Sequence, residues 1–330
     1  MSYGMSGRVF HAPFIEVNPH FELRGIVERS TKQAQGRYPH IISYDTVQEL
    51  LDDPAVELII VNTPNDTHVE YALAALKAGK HVLIEKPFAP TVGEARMLFQ
   101  VAEEMGRLIL PFHNRRFDAD FLALKEVVQQ KELGRLIELH LRFDRYKEEI
   151  GPKVFKETKR PAAGVIYDLG SHLLDQAISL FGRPKAMTKI SGKYRPNTQV
   201  DDYGCIVLNY KDGLNVFITT SLLVANPQAS FVLHGTKGSF VKNRTDVQEA
   251  QLIDGMMPNN PAFGVEPDAS EGILTKPDED GRLTSRFIAP VQGDYMQLFN
   301  EVYAAIREGK PYFVTKDQII WQLEVLEPNK

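Results

Sequence analysis

Short apolar runs alternate with helix-period stretches through roughly the first 135 residues. Strand candidates are residues 21–27 (FELRGIV), 58–62 (LIIVN), 81–84 (HVLI) and 107–110 (RLIL). Amphipathic helices are predicted near 46–52, 66–78 and 91–105, with Asp66 as an N-cap and Gly79 as a C-terminal stop. Strands that are apolar throughout belong to a parallel sheet covered on both faces. The expected architecture is therefore a Rossmann-like run of βαβ units.

After Gly134 the period changes. Residues 137–143 (IELHLRF) alternate, a Lys/Pro/Gly-rich loop covers 147–164, and a helix is predicted over 168–181. Further strands are expected near 186–191, 204–210, 215–223, 230–234 and 238–242, with tight turns such as Lys211-Asp212-Gly213. That pattern predicts an α+β domain with a large, mainly antiparallel open sheet. Residues 254–282 show little regular pattern and are expected to form a long surface excursion. A last helix near 294–308 is expected to cover the sheet or return to the first domain. The predicted division is a dinucleotide-binding domain over 1–117 and a substrate and oligomerisation domain over 118–330.

Composition narrows this picture by exclusion. The chain has 330 residues and a formal net charge of −5, which gives no general attraction to nucleic acid or anionic lipid. Its single cysteine, Cys205, excludes an internal disulfide framework and a Cys-rich metal site, and its strand setting predicts a buried, inert thiol. No apolar run approaches the roughly 18 residues of a membrane span, and no secretory leader is evident. A cytoplasmic location is the expectation.

The candidate chemistry sits at predicted strand ends and on one helix. Gly4 and Gly7, with Met5 and Ser6 between them, stand as the second and third glycines of a G-x-G-x-x-G turn, with Ser2 in the first place. About 20 residues on, Glu28-Arg29-Ser30 ends the next strand. Glu28 there suits the ribose hydroxyls of NAD, whereas Arg29 and Ser30 suit the 2′-phosphate of NADP, which is the favoured reading. The fingerprint normally follows a central strand, and none precedes it here. Five or six missing buried apolar residues would forfeit on the order of 10 kcal/mol. The expectation is that the natural start lies upstream, or that another segment fills the gap.

Thr63-Pro64-Asn65 and nearby His68, Glu85-Lys86-Pro87 and Asn114 all follow strand candidates, where open α/β sheets bind ligands. Lys86 can polarise a substrate oxygen or simply cap a turn. Arg115 and Arg116 can hold substrate or form an interdomain ion-pair cluster. On the helix over 168–181, Asp168, His172, Asp175 and Ser179 fall within about 60° of one another at ideal α geometry. A histidine between carboxylates can act as a general base near neutral pH; the alternative is an ordinary solvated face. No further His or Cys at ligand spacing accompanies the stripe, so no metal is expected.

Together, the N-T-P-N turn at 62–65, the E-K-P turn at 85–87 and the D-L-G-S-H-L-L-D stretch at 168–175 resemble the glucose–fructose oxidoreductase/inositol dehydrogenase (Gfo/Idh/MocA) family. The G-M-S-G-R-V-F-H-A-P-F and H-N-R-R-F-D stretches are most similar to a branch with NADP-dependent scyllo-inositol dehydrogenases. The resemblance implies that Lys86, Asp168 and His172 are catalytic. His172 would remove the hydroxyl proton, Lys86 would orient and polarise that oxygen, and Asp168 would hold substrate or His172. Arg115 and Tyr146 would also contact substrate, with specificity in 147–164 and around 226–228. The implied cofactor is NADP, with NAD possible, and the implied substrate a sugar or cyclic polyol. The implied assembly is a dimer or tetramer through the second-domain sheet. Two departures stand out: Ser2 for the first glycine, and an end at Lys330 short of the family's usual final helix and strand. A different class, a non-catalytic dinucleotide- or sugar-sensing regulator on the same fold, remains open.

Overall fold

A computed structural model describes residues 2–151 and 157–327. The chain divides into two compact units. The first comprises Met1–Asn114, Gln248–Phe263 and Asp294–Ile320; the second comprises Arg115–Val247, Gly264–Gly293 and Trp321–Lys330.

The first unit is the Rossmann part. Strands β3 (Leu58–Val61), β4 (His81–Ile84) and β5 (Ile109–Pro111) pair in parallel, in that order, and β1 (Gly25–Val27) pairs in parallel with β2 (Ile42–Tyr44). Ile59, Val61, Val82, Leu83 and Ile84 are nearly or fully buried, as the unbroken apolar runs required. The helices obey their caps. Thr46 and Thr91 accept the backbone N–H of Glu49 and Glu94, opening helices Val47–Asp52 and Val92–Glu104. Gly79, at φ +72°, stops helix His68–Lys77, as predicted; Asp66 instead lies in a short 3-10 turn, Asn65–Thr67, ahead of that helix.

No strand precedes β1 among the described residues. Ser2 instead links the two parallel sheets. It bridges Val27 in parallel, and its N–H donates to Asn62 Oδ1 at 2.9 Å, while Asn62 Nδ2 returns a bond to the Ser2 carbonyl at 3.0 Å. A cleft between β1 and β3 is lined by Ile15, Ile26, Leu50, Val56 and Ile59.

The second unit carries an eight-stranded sheet. Its strands are β6 (Leu136–Asp144), β7 (Ala186–Gly192), β8 (Tyr203–Asn209), β9 (Asn215–Ser221), β10 (Phe231–Gly235), β11 (Gly238–Lys242), β12 (Gly272–Pro277) and β13 (Leu283–Ile288). They lie in the order β13-β12-β11-β10-β6-β9-β8-β7, antiparallel throughout except for β6 beside β9. One face is core: Leu139, Leu141, Leu233, Phe240, Val216 and Leu274 are at most 1% exposed. The other face is open. Pairing register sets Phe287, Ile273, Val241, Val232, His140, Phe217 and Val207 in one row across it.

Two expectations are corrected. Residues 254–282 are not mere excursion, because β12 and the turn into β13 lie there and extend the sheet. The pair is hard to see in sequence because Leu283 and Phe287 are 77% and 72% exposed and polar residues intervene. Cys205, on the open face of β8, is half-buried rather than buried.

Candidate functional site

In the first unit, His68 is wholly buried at the start of the helix His68–Lys77, and every other predicted cofactor residue but one group lies at a carboxyl edge of the parallel strands. Glu28 follows β1, Thr63–Asn65 follow β3, Glu85 and Lys86 follow β4, and Asn114 comes shortly after β5. The exception is Gly4–Gly7, which opens the helical segment running from Gly7 through a π turn to Val17. Gly7 is required there by close approach: a Cβ would lie 2.1 Å from the Ser2 carbonyl oxygen. Gly4 and Met5 are exposed, and Ser6 is half-buried.

The Glu28 carboxylate is engaged within the fold. It accepts the N–H of Gln33 at 2.8 Å and of Ala34 at 3.1 Å, and the Ser43 hydroxyl at 2.9 Å. Arg29 and Ser30 beside it are exposed. The sequence does not show this, because Gln33, Ala34 and Ser43 carry no motif.

The E-K-P turn is anchored by its glutamate. Ser6 Oγ donates to Glu85 Oε1 at 2.5 Å, and His11 Nε2 lies 2.9 Å from the same oxygen. Burial alone would raise the Glu85 carboxyl, but hydrogen bonds from His11 and Ser6 and the charges of His11 and Lys86 outweigh it. The net effect holds its pKa at about 2, below the usual 4.5. Such a depressed group adds stability above its unfolded pKa, and that contribution fades as pH falls from 4.5 towards 2. Glu85→Gln is therefore expected to remove on the order of 3 kcal/mol of pH-dependent stability from the acid limb. Urea unfolding midpoints at pH 7 and pH 3 check this; an equally steep acid limb in the variant would contradict it. Lys86 itself is half-buried, and its N–H donates to Glu85 Oε2 at 3.2 Å.

In the second unit, Asp168 and His172 fall on two kinds of helix. Ile166–Gly170 is a π turn and Ser171–Phe181 an α-helix, so the 100° step assumed over the whole stretch does not hold through Asp168. The entry is built by Asp201, whose carboxylate accepts the Ile166 N–H at 2.8 Å while its carbonyl accepts that of Val165 at 2.9 Å. Gly164, at φ +97°, leaves room for it: a Cβ would meet Asp201 Oδ1 at 2.0 Å.

The supposed solvated stripe is buried. His172 is 6% and Asp175 1% exposed, and Asp168 is half-buried. Asp175 is committed elsewhere, since Arg116 Nε and Nη2 donate to its two oxygens at 2.8 and 2.7 Å and Gln322 Nε2 adds a bond at 2.7 Å. Arg115 Nη1 lies 3.3 Å from Asp118 Oδ2, and its guanidinium sits 5.2 Å from the Phe143 ring. Arg116 therefore braces the histidine's helix. Tyr146, bridged to Leu223, is 58% exposed. Within the loop over 147–164, residues 152–156 lie outside the described residues. No group of three or more His, Cys, Asp or Glu among the described residues could hold a metal ion.

The comparisons agree with this architecture. Residues 3–113 match the oxidoreductase family with an NAD-binding Rossmann fold, and residues 121–241 match the GFO/IDH/MocA C-terminal domain. An uncharacterized oxidoreductase of Schizosaccharomyces pombe is 36% identical over 98% of this chain and 93% of its own length. The scyllo-inositol 2-dehydrogenase (NADP(+)) of Bacillus subtilis is 33% identical over 99% of this chain and 90% of its own length. The solved structure of a Bacillus subtilis oxidoreductase superposes with a TM-score of 0.94 at 32% identity, covering 98% of this chain and 92% of that one. Two domain matches in order, and relatives alike over nearly their full length, decide the matter: the chain belongs to the GFO/IDH/MocA oxidoreductase family.

Proposed function

We propose that the protein is an NADP-dependent dehydrogenase acting on a hydroxyl-bearing carbon of a cyclic polyol or sugar, with an inositol-like ring as the leading substrate class. The observation that carries this reading is the likeness, across 99% of the chain, to the Bacillus subtilis scyllo-inositol 2-dehydrogenase (NADP(+)). Lys86 in the E-K-P turn and Asp168 and His172 in the D-x-x-x-H stretch support it.

In this reading His172 accepts the hydroxyl proton. Lys86 donates a hydrogen bond to the same oxygen and stabilises the negative charge that develops there. Asp168 holds substrate or the His172 ring, and Arg115 and Tyr146 contribute to substrate contact. A bound nicotinamide cofactor supplies the hydride acceptor. Thr63, Pro64, Asn65 and Asn114 at the strand ends, with Ser6 and Gly7 at the start of the first helical segment, are proposed to hold it.

The cofactor preference rests on Glu28 and its neighbours. A carboxylate already bonded to two backbone amides and a hydroxyl has little capacity left for ribose hydroxyls. Exposed Arg29 and Ser30 suit a 2′-phosphate. Arg29→Ala is expected to weaken NADPH binding about tenfold or more, consistent with losing one charge-assisted contact, and to leave NADH binding nearly unchanged. Fluorescence titration of both dinucleotides reads this; parallel losses for the two would count against the assignment.

The open sheet face supports a homo-oligomer. Phe287, Ile273 and Val241 are 72%, 42% and 36% exposed in one apolar row, a contiguous patch suited to a self-complementary contact. Val241→Glu would place like charges together at such a contact. Sedimentation should show a dimer or tetramer for the parent chain and a smaller species for the variant. A monomeric parent chain would refute the assembly.

Activity is tested by NADP+ reduction against a panel of inositols and aldoses. Turnover of at least one panel member is expected. Cofactor binding without turnover of any would favour a sensing role and overturn the enzyme reading.

A further inference from the structure

His68 opens the helix His68–Lys77, directly after the turn that follows β3. Its ring is wholly buried, at 0% exposure. Nδ1 lies 2.9 Å from the Pro87 carbonyl oxygen, and Nε2 lies 3.0 Å from the Thr63 carbonyl oxygen. Pro87 immediately follows Lys86, and Thr63 begins the turn at the end of β3. One imidazole therefore spans the two strand-end turns, out of reach of any ligand.

A carbonyl oxygen can only accept, so each of these contacts requires a ring N–H. The imidazolium satisfies both oxygens at once; a neutral ring donates to one. Burial lowers the ring's pKa below its ordinary 6.5, against the two carbonyls and Glu85, while Lys86 adds to the lowering. The doubly donating imidazolium therefore forms only as pH falls below the ordinary imidazole range, and above that the neutral ring holds one of the two carbonyls.

We propose that His68 is a positioning residue for Lys86, fixing the peptide after the lysine against the turn after β3, and so setting where the ammonium group meets substrate. The proposal rests on the reading of Lys86 as the catalytic lysine. A catalytic group needs its backbone fixed to about half an ångström, and a misplacement of about 1 Å can lower a rate by about 10²-fold. A buried ring held between two backbone carbonyls, and donating to at least one of them, supplies such restraint, which a surface lysine on a free turn would lack.

Two variants of the full chain test it. His68→Leu keeps apolar bulk and removes both donors, and His68→Gln keeps one donor group. Hydrogen exchange read by mass spectrometry follows peptides covering Thr63–Asn65 and Glu85–Phe88, alongside kcat, KM and NADPH affinity from pH 6 to 9. In His68→Leu the two turns should exchange at least about tenfold faster with the rest of the unit unchanged. Its kcat should fall by about tenfold or more while NADPH affinity changes less than about threefold, and His68→Gln should fall between it and the parent. Unaltered exchange at both turns, or an unaltered kcat despite faster exchange, would overturn the proposal. A loss of protection throughout the unit in both variants would make His68 a core residue only, and would overturn it too. Should the parent chain turn over no substrate while the two turns loosen in His68→Leu, the dehydrogenase reading fails and the clamp stands.

Discussion

Replacing His172 with asparagine is expected to lower turnover by about 10²–10⁴-fold, the usual loss when a general base is removed. NADPH affinity should stay within a few-fold, because the predicted cofactor residues belong to the other unit. The thermal midpoint should fall only modestly, since asparagine retains a donor and an acceptor at a site that is 6% exposed. Rapid-mixing measurement of NADP+ reduction separates proton removal from product release. The loss should appear in the first turnover and shrink at high pH, where hydroxide replaces the missing base. A variant with undiminished rate would remove His172 from the chemistry and leave it a buried helix residue.

Arg116→Ala is expected to be strongly destabilising. It would leave the Asp175 carboxylate, 2% exposed, with Gln322 in place of a two-point guanidinium contact. Removing one partner of a buried pair typically costs about 3–5 kcal/mol, because the other charge stays behind. For a domain of this size each kcal/mol is worth about 2–4 °C, so the midpoint should drop by roughly 6–20 °C. Arg116→Lys should recover only part of this, since an ammonium cannot make the parallel pair of bonds. Replacing both partners by apolar residues, Arg116→Met with Asp175→Leu, should be much milder than Arg116→Ala alone. Asp175 lies one turn beyond His172, so kcat should fall in Arg116→Ala even at temperatures where the variant stays folded. Calorimetry with parallel kinetics checks both parts. A single variant as stable as the parent would mean that the ion pair contributes nothing.

The family and its two-domain plan were legible in the sequence because strong local patterns carry them. LIIV and HVLI read as strands since both faces of the parallel sheet are covered, and the E-K-P and D-x-x-x-H motifs are contiguous. What the pattern hid depends on distant partners. Asp175 looks like a helper for His172 by helical spacing, yet Arg116, 59 residues away, takes it. Glu28 looks like a ribose ligand by its place after β1, yet amides at Gln33 and Ala34 occupy it. His68 looks like one more cofactor contact until its two carbonyl partners, 5 and 19 residues away, are seen. The π turn at Ile166–Gly170 has no residue signature of its own, so a helical wheel drawn through Asp168 misplaces it. The strands β12 and β13 were hidden for the opposite reason: their exposed apolar residues follow the open face rather than a core.

In the proposed reaction, hydride leaves a hydroxyl-bearing carbon of the substrate for the nicotinamide while this chain's own groups manage the proton. Incubating the protein with NADP+ and scyllo-inositol deuterated at its ring carbons, then analysing the reduced cofactor by NMR, tests it most directly. One deuterium at C4 of the nicotinamide ring is expected per substrate oxidised, with the rate of its transfer lowered about 10²–10⁴-fold in His172→Asn. Oxidised product formed with no deuterium in the cofactor, or no oxidation of this or any other polyol or sugar offered, would contradict it.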